Sequence, residues 1–266
     1  MPVDSIIIKP FDISKNTHKV IRCASDKSLT HRSIMFSSLA EGKSIISNPL
    51  LGADCLSTVE CFKKMGVGID VKSGEIHVDS PGIDKLTSPE TDLDCGNSGT
   101  TARLMLGLLA GIDGLKARLT GDHSLESRPM ARVSDHLELA QAKYIFENEK
   151  KTLPITVIGG ALKARDYSVS QSSAQVKSAI LLANINQTNK VTISLPAGSR
   201  DHTENFLKIF GAEISTNIEN GLEKISYEGP TKIKPHHYKV PVDPSSAAFY
   251  CVLGLLMSDG EISISD

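Results

Sequence analysis

Apolar residues recur three and four positions apart in four segments of the chain, whose starts lie about 72 to 74 residues from one another. The segments are KSLTHRSIMFSSLAEG from Lys27, GTTARLMLGLLAG from Gly99, SAQVKSAILLAN from Ser173 and SSAAFYCVLGLLMSDG from Ser245. This spacing predicts helices that bury one face, and each has glycine or hydroxyl residues in its first turn.

The segments between these helices also repeat. Each helix is preceded by an extended stretch (HKVIRCAS, TDLDC, YSVSQ, YKVPVD) and followed by a short β-like one (KSIISN, KARLTG, KVTISL, EISIS). In the first three copies a second helix and a strand-turn-strand segment come next. The pattern predicts an α/β (α+β) fold of β-α-β-α-β-β units packed around a pseudo-threefold axis.

The fourth copy has only its opening strand, helix and next strand before Asp266, which predicts unpaired strand edges and exposed apolar surface. We therefore expect a complete first domain over residues 14–241. Residues 1–13, which contain SIIIKPF, and residues 242–266 would form part of a second domain whose remainder the chain lacks. The alternative is a shorter protein whose last unit packs on the first three.

Composition and charge argue against a nucleic-acid-binding, membrane or secreted protein. The 266 residues carry a formal net charge of -2, which favours neither a nucleic-acid nor a membrane-surface partner. No apolar run reaches the length of a membrane span, and the N-terminus lacks the features of a signal peptide. The five cysteines show no C-x-x-C spacing, so the sequence predicts a cytoplasmic protein without a metal site.

The helix starts carry the candidate chemistry. Equivalent helices of units packed around one axis direct their N-termini toward a common face, where unpaired N–H groups favour anions. The residues at or near these starts are small, hydroxylic, amide or cationic: Lys27, Ser28, Asn97, Ser98, Gly99, Thr100, Ser173 and Gln175. Arginines, which match phosphate and carboxylate oxygens, lie at similar places: Arg32, Arg103, Arg128 and Arg200.

Each of these residues also has an ordinary structural interpretation. Ser28, Ser98, Thr100 and Ser173 are typical helix N-caps. Lys27 and Arg32 could be solvated charges, and Arg103 could pair with a neighbouring acid to hold the fold. The histidines His31, His123 and His202 have no partner at metal-ligand spacing. The recurrence of cationic and amide residues at matched positions favours the anion site.

Six motifs resemble, in order, those of the 5-enolpyruvylshikimate-3-phosphate (EPSP) synthase family, particularly its bacterial second class. They are DKSLTHRS, LLGADCLSTVECFKKMG, DCGNSGTTARL, LTGDHSLESRPM, SSAQVKSAILLA and SRDHTEN, and they span nearly all of residues 14–266. CASDKS replaces the family's usual Pro-Gly before Asp-Lys-Ser, and LAQAKY lacks its usual glycine.

This resemblance implies two domains with the active site between them. It implies transfer of the carboxyvinyl group of phosphoenolpyruvate to the 5-hydroxyl of shikimate-3-phosphate, without a cofactor, by an enzyme that is a monomer at full length. Shikimate-3-phosphate contacts would be Lys27, Ser28, Arg32, Ser173, Gln175 and Arg200. Phosphoenolpyruvate contacts would be Lys27, Asn97, Gly99, Arg128 and Gln175, with Lys27 as the catalytic residue.

The incomplete fourth unit leaves other functions open. The resemblance implies that the absent part carries acidic and further cationic residues of the site, so we expect this chain alone to bind shikimate-3-phosphate weakly and to turn over negligibly. One alternative is a non-catalytic anion-binding domain. Another is the related enolpyruvyl transferase acting on a UDP-sugar, although GNSGTTAR and SAQVKSA fit the shikimate enzyme better.

Overall fold

The computed structural model describes residues 18–256 and 261–265. They fall into two compact units, one over Lys27–Val240 and the other in the described parts of Met1–Asp26 and Pro241–Asp266. The predicted strand SIIIKPF lies outside the described residues. The helices of the described chain are α1 Lys27–Leu39, α2 Ala53–Lys64, α3 Gly99–Ala110, α4 His123–Glu126, α5 Ala131–Glu138, α6 Ala174–Ala183, α7 His202–Ile209 and α8 Pro244–Leu256.

The strands are short and in most cases precede or follow a helix, as the sequence pattern predicts. They are β1 His18–Arg22, β2 Gly42–Ser47, β3 Gly68–Lys72, β4 Glu75–Ser80, β5 Leu93–Asp94, β6 Lys116–Thr120, β7 Lys143–Phe146, β8 Ile155–Ile158, β9 Asp166–Ser168, β10 Lys190–Pro196, β11 Glu213–Glu219, β12 Leu222–Glu228, β13 His237–Lys239 and β14 Glu261–Ser265.

Three four-stranded sheets share one strand order within Lys27–Val240. The orders are β13-β2-β4-β3, β5-β6-β8-β7 and β9-β10-β12-β11. In each sheet the first pair is parallel and the other two pairs are antiparallel. The predicted α/β fold of three repeated units is therefore confirmed.

The opening strand of the first sheet differs from the prediction. Residues His237–Lys239 supply it, pairing in parallel with Ile45–Ser47, whereas His18–Arg22 pairs in parallel with Glu261–Ser265 in the other unit. The larger compact unit accordingly runs from Lys27 to Val240. Both stretches are short alternating strands next to a unit boundary, so the sequence pattern alone fits either pairing.

The first helix of each unit lies in the core. Helices α1, α3 and α6 are buried along most of their length, and α3 is buried at every residue except Thr100. A helix that is largely apolar, as α3 and α6 are, belongs in the interior, whereas α1 also buries polar side chains such as His31 and Arg32. In α1 and α6 the residues that are not buried lie in the first turn.

Helices α3 and α6 run parallel with their backbones in close contact. A Cβ on Gly107 would lie 2.2 Å from the carbonyl oxygen of Ala179, and one on Gly111 would lie 1.9 Å from that of Ala183. The two glycines therefore permit an approach that any side chain would block. Because the contact partners advance together along both helices, the two N-termini lie side by side.

Candidate functional site

The turn before α3 presents three of the predicted site residues together. Ser98 is the N-cap, and its Oγ accepts the backbone N–H of Thr101 at 3.1 Å. The backbone N–H of Gly99 bonds the carbonyl of Asn97 at 3.1 Å. A Cβ on Gly99 would lie 2.8 Å from Nη1 of Arg103. The missing side chain therefore gives an arginine room beside the helix start.

Asn97 connects a carboxylate to a guanidinium at this edge. Its Nδ2 donates to both Asp122 oxygens, at 3.0 and 2.7 Å, while its Oδ1 accepts from Nη2 of Arg128 at 2.8 Å. The hydrogen bond from Asn97, together with one from the backbone of Leu125, lowers the pKa of Asp122. Arg128 also donates to Ser124 Oγ at 3.1 Å. Asp122 thus orients the amide, and the amide orients the arginine.

Arg103 does not pair with an acid, contrary to one interpretation of the sequence. It is only 8% exposed, and its guanidinium donates to Gln175 Oε1 at 3.1 Å and to the carbonyl of Pro129 at 3.4 Å. Its Nε has no hydrogen-bond partner, and no ion pair of Arg103 occurs, within the described residues. Burial lowers the pKa of Arg103, and the charges of Arg132 and Arg128 lower it further. This positive charge therefore has no counter-ion among the described residues.

The start of α6 faces the same cluster. Ser173 is the N-cap and accepts the N–H of Val176 at 3.4 Å. Gln175 accepts from Arg103 and donates through Nε2 to Thr100 Oγ1 at 3.2 Å. Gln175 therefore joins the starts of the two parallel helices, and an anion at this point meets two helix N-termini of the same polarity.

Lys27 opens α1 and forms an ion pair with Asp54 of α2. One turn deeper on both helices, His31 Nδ1 lies 2.8 Å from Thr58 Oγ1. Thr58 Oγ1 lies 2.7 Å from Thr101 Oγ1, which donates to the N-cap Ser98. A buried chain of hydrogen bonds thus ties the helix that carries Lys27 to the start of α3.

His31 is neutral in this chain. Burial, followed by the charge of Lys27, lowers its pKa to about 3. Its Nε2 is buried without a partner among the described residues. The ring therefore contributes one hydrogen bond and no charge near Lys27, so Lys27 is the cation at the exposed start of this helix.

Arg32 and Ser28 lie on α1 beside the third repeat unit. Arg32 is buried and donates from Nε to Thr203 Oγ1 at 2.7 Å, from Nη2 to Ser178 Oγ at 2.7 Å and from Nη1 to the carbonyl of Ser28 at 3.0 Å. At least three of its five N–H donors therefore bond protein oxygens. The geometry assigns Arg32 to joining α1, α6 and α7.

Arg200 is exposed in the loop between β10 and α7. The predicted residues therefore fall into three sets. In the first set Asn97 bonds Arg128, Gln175 bonds Arg103, and Gly99 lies beside both arginines. Lys27, Ser28 and Arg32 share α1, while Ser173 and Arg200 begin or precede helices of the third unit. Sequence reasoning missed Asp54 and Asp122 as partners of Lys27 and Asn97, although both lie inside the quoted motifs.

A family model described as EPSP synthase (3-phosphoshikimate 1-carboxyvinyltransferase) matches residues 11–266. The chain belongs to the EPSP synthase family. Proteins named 3-phosphoshikimate 1-carboxyvinyltransferase from Sulfurihydrogenibium sp. (strain YO3AOP1) and Caldicellulosiruptor saccharolyticus are 44% and 46% identical to it over 246 and 243 residues. These matches cover 92% and 91% of this chain but 57% and 55% of the relatives.

A solved EPSP synthase from Acinetobacter baumannii superposes with a TM-score of 0.84 at 37% sequence identity. The match covers 95% of this chain and 56% of that structure. The chain thus spans somewhat more than half the length of its EPSP synthase relatives.

The described residues add two negative observations. Within 18–256 and 261–265, no group of three or more His, Cys, Asp or Glu side chains is placed to bind a metal ion. No helix in these ranges combines the length and apolar character that a membrane crossing requires.

Proposed function

We propose that this chain carries the first-domain side of a site that transfers the carboxyvinyl group of phosphoenolpyruvate to the 5-hydroxyl of shikimate-3-phosphate, with release of phosphate. One observation carries the proposal: Arg103 and Arg128 converge on the adjacent N-termini of α3 and α6, and Arg103 forms no ion pair in the described residues. Membership in the EPSP synthase family supports the choice of substrates.

Phosphoenolpyruvate is assigned to the start of α3. Arg128, held by Asn97, supplies a guanidinium for the phosphate, and Gly99 keeps the approach open. Gln175 contacts the same ligand from α6. Fixed cations in a partly dehydrated site stabilise charge more strongly than water does, because they need no reorganisation as the reaction proceeds.

Shikimate-3-phosphate is assigned to α1 and the third unit. Ser28 and Arg32 lie on α1, Ser173 and Gln175 begin α6, and Arg200 precedes α7. Arg32 acts here mainly by fixing α1 against α6 and α7, because its donors already bond Thr203 and Ser178. Two polyanions repel each other, so clamping both lowers the entropic and electrostatic barrier to their reaction.

Lys27 is assigned to both substrates. In the proposed reaction the 5-hydroxyl gives up its proton as its oxygen adds to C2 of phosphoenolpyruvate. A proton is added to the methylene carbon of phosphoenolpyruvate, which becomes a methyl group. The tetrahedral intermediate then loses phosphate from C2 and a proton from the methyl carbon, which restores the carbon–carbon double bond. The Lys27 ammonium pairs with Asp54 in this structure, so an anionic substrate would exchange for that partner. Its charge stabilises the phosphate and the intermediate.

The test compares acceptors. Titration calorimetry with shikimate-3-phosphate, and separately with UDP-N-acetylglucosamine, is followed by a phosphate-release assay with phosphoenolpyruvate. We expect heat of binding with shikimate-3-phosphate and none with the UDP-sugar. Binding without phosphate release would identify a chain that binds the substrate and needs the remaining length of its relatives for turnover. Equal or tighter binding of the UDP-sugar would refute the assignment.

A further inference from the structure

A cluster of three buried charges lies in the third repeat unit, away from the start of α3. Lys177 of α6 is fully buried, and its Nζ lies 2.6 Å from Oε1 of Glu204 on α7. The same Nζ lies 3.3 Å from each carboxylate oxygen of Glu223 on β12. One ammonium therefore serves two carboxylates from two other elements.

The sequence pattern does not require charge at these positions. On β12 the inward-facing residues are Glu223, Ile225 and Tyr227, so the glutamate occupies a core position of an alternating strand. Burial raises the pKa of Glu204. Buried ionic clusters are often no more stable than apolar residues of the same volume. Such an exception to the local pattern points to a functional demand.

The cluster holds both sides of the loop that carries Arg200. Ser199 donates from Oγ to Glu223 Oε2 at 3.4 Å, directly before Arg200. Glu204 lies in the first turn of α7, directly after the loop. The backbone N–H of Ala197 bonds the carbonyl of Gly221 at 2.9 Å, next to the start of β12. These contacts fix the loop to β12 and to the start of α7.

A second row of contacts runs beside the cluster. Ser178, the next residue on α6, accepts a hydrogen bond at 2.7 Å from Thr203 Oγ1, the residue before Glu204 on α7. Arg32 donates to both hydroxyl oxygens. The start of α7 is thereby fixed to α6 and to α1, which carry other proposed shikimate-3-phosphate contacts.

We infer that Lys177, Glu204 and Glu223 are positioning residues that hold the Ala197–Asp201 loop in place, so that Arg200 meets the phosphate of an incoming phosphorylated substrate. The inference rests on the proposed function for the identity of that substrate. It assigns no contact with the substrate to the three residues themselves. Their effect on affinity is exerted through the loop.

The test uses two substitutions at one position and a matched control. Glu223→Leu removes the anchor of Ser199 but leaves the ion pair of Lys177 and Glu204, which has no net charge, so we expect the fold to be retained. Glu223→Gln keeps an acceptor of the same shape. Glu228→Leu, at the exposed end of the same strand, is the control. Amide hydrogen exchange of residues 197–201 and calorimetric affinity for shikimate-3-phosphate are measured on the full chain, well below its unfolding temperature.

We expect about tenfold faster exchange in the loop and about tenfold weaker binding for Glu223→Leu, a disturbance equivalent to one lost charge-assisted hydrogen bond. We expect Glu223→Gln to keep the loop exchange and the affinity close to wild type, and Glu228→Leu to change neither. Unchanged loop exchange in Glu223→Leu would overturn the inference. If the wild-type chain binds no shikimate-3-phosphate, the proposed function fails, and the exchange data alone then decide whether the cluster positions the loop.

Discussion

Arg103 and Lys177 are buried cations on parallel neighbouring helices, yet their surroundings are opposite. Among the described residues Arg103 donates only to neutral acceptors, the amide oxygen of Gln175 and the carbonyl of Pro129, and it lies near two further arginines. Lys177 is enclosed by the carboxylates of Glu204 and Glu223. The charge of Arg103 can therefore pair with an anionic ligand, whereas the charge of Lys177 is already paired with carboxylates of the protein.

We interpret Arg103 as a cation for ligand binding and Lys177 as a cation that stabilises the fold. A buried cation without a counter-ion raises the free energy of the empty protein, and an anionic ligand lowers it. A buried cation between two carboxylates gains nothing from a ligand but costs much if it is removed. The two positions should therefore respond differently to the same substitution.

The largest expected effect follows from removing Lys177. Lys177→Met leaves two carboxylates buried without their partner, and we expect it to lower the free energy of unfolding by about 3–5 kcal/mol. Arg103→Met loses two hydrogen bonds but also relieves repulsion with Arg128 and Arg132. We therefore expect it to lower the free energy of unfolding by only about 1 kcal/mol. Urea unfolding at neutral pH measures both. Equal losses would contradict the distinction between the two cations.

For binding of phosphoenolpyruvate we expect the opposite order, with Arg103 more important than Lys177. Arg103→Met removes a charge from the start of α3, and we expect phosphoenolpyruvate to bind about 10- to 100-fold more weakly, as for loss of a hydrogen bond to a charged group. Arg118→Met is the matched control, because Arg118 is paired with Asp92 and Glu147 at the surface. Calorimetry at low salt decides, and equal losses in both variants would show only a general effect of net charge.

His31 provides a third buried basic side chain, one that has lost its charge. The pKa of about 3 in the folded chain lies below the usual 6.5 of an unfolded histidine. The unfolded chain therefore binds more protons between these values, so stability falls as the pH falls. Between pH 7 and 5 we expect His31 to account for a loss of about 2 kcal/mol. Urea unfolding of wild type and His31→Gln at both pH values measures it, and parallel pH profiles would rule it out.

The smallest expected effect concerns space rather than charge. In Gly99→Ala the new Cβ lies 2.8 Å from Arg103 Nη1 and 3.6 Å from Arg128 Nη1, so the flexible guanidinium ends must shift. We expect a stability change below about 1 kcal/mol and binding of phosphoenolpyruvate several-fold weaker. Gly160→Ala, whose nearest neighbouring atom is 4.0 Å away, is the control. Unchanged binding in Gly99→Ala would show that this spacing does not matter.

The repeated units were predictable because five element types recur in register along the sequence. Their pairing was less so: His18–Arg22 and His237–Lys239 are both short alternating strands, and only the three-dimensional fold assigns one to each unit. Local pattern fixes which face of a strand is buried. It does not fix which neighbour a strand meets after the chain crosses a boundary.

The candidate site was also only partly predictable from the sequence. The start of each helix could be recognised from Lys27, Gly99 and Ser173, since caps and small residues mark helix N-termini. The state of each charge could not be recognised, because Glu204 and Glu223 reach Lys177 from other elements and no comparable acid reaches Arg103 in the described residues. Compensation of a buried charge is a property of the fold.

The most direct test of the central claim, that the helix starts form a cationic substrate site, is calorimetry of shikimate-3-phosphate binding by wild type, Lys27→Ala and Lys63→Ala. Lys63 pairs with Glu60 on the surface of α2 and controls for net charge. We predict that Lys27→Ala raises the dissociation constant about 10- to 100-fold, as expected for a lost charge-assisted contact. Lys63→Ala should match wild type. Wild-type affinity in Lys27→Ala, or no binding by the wild-type chain, would contradict the account.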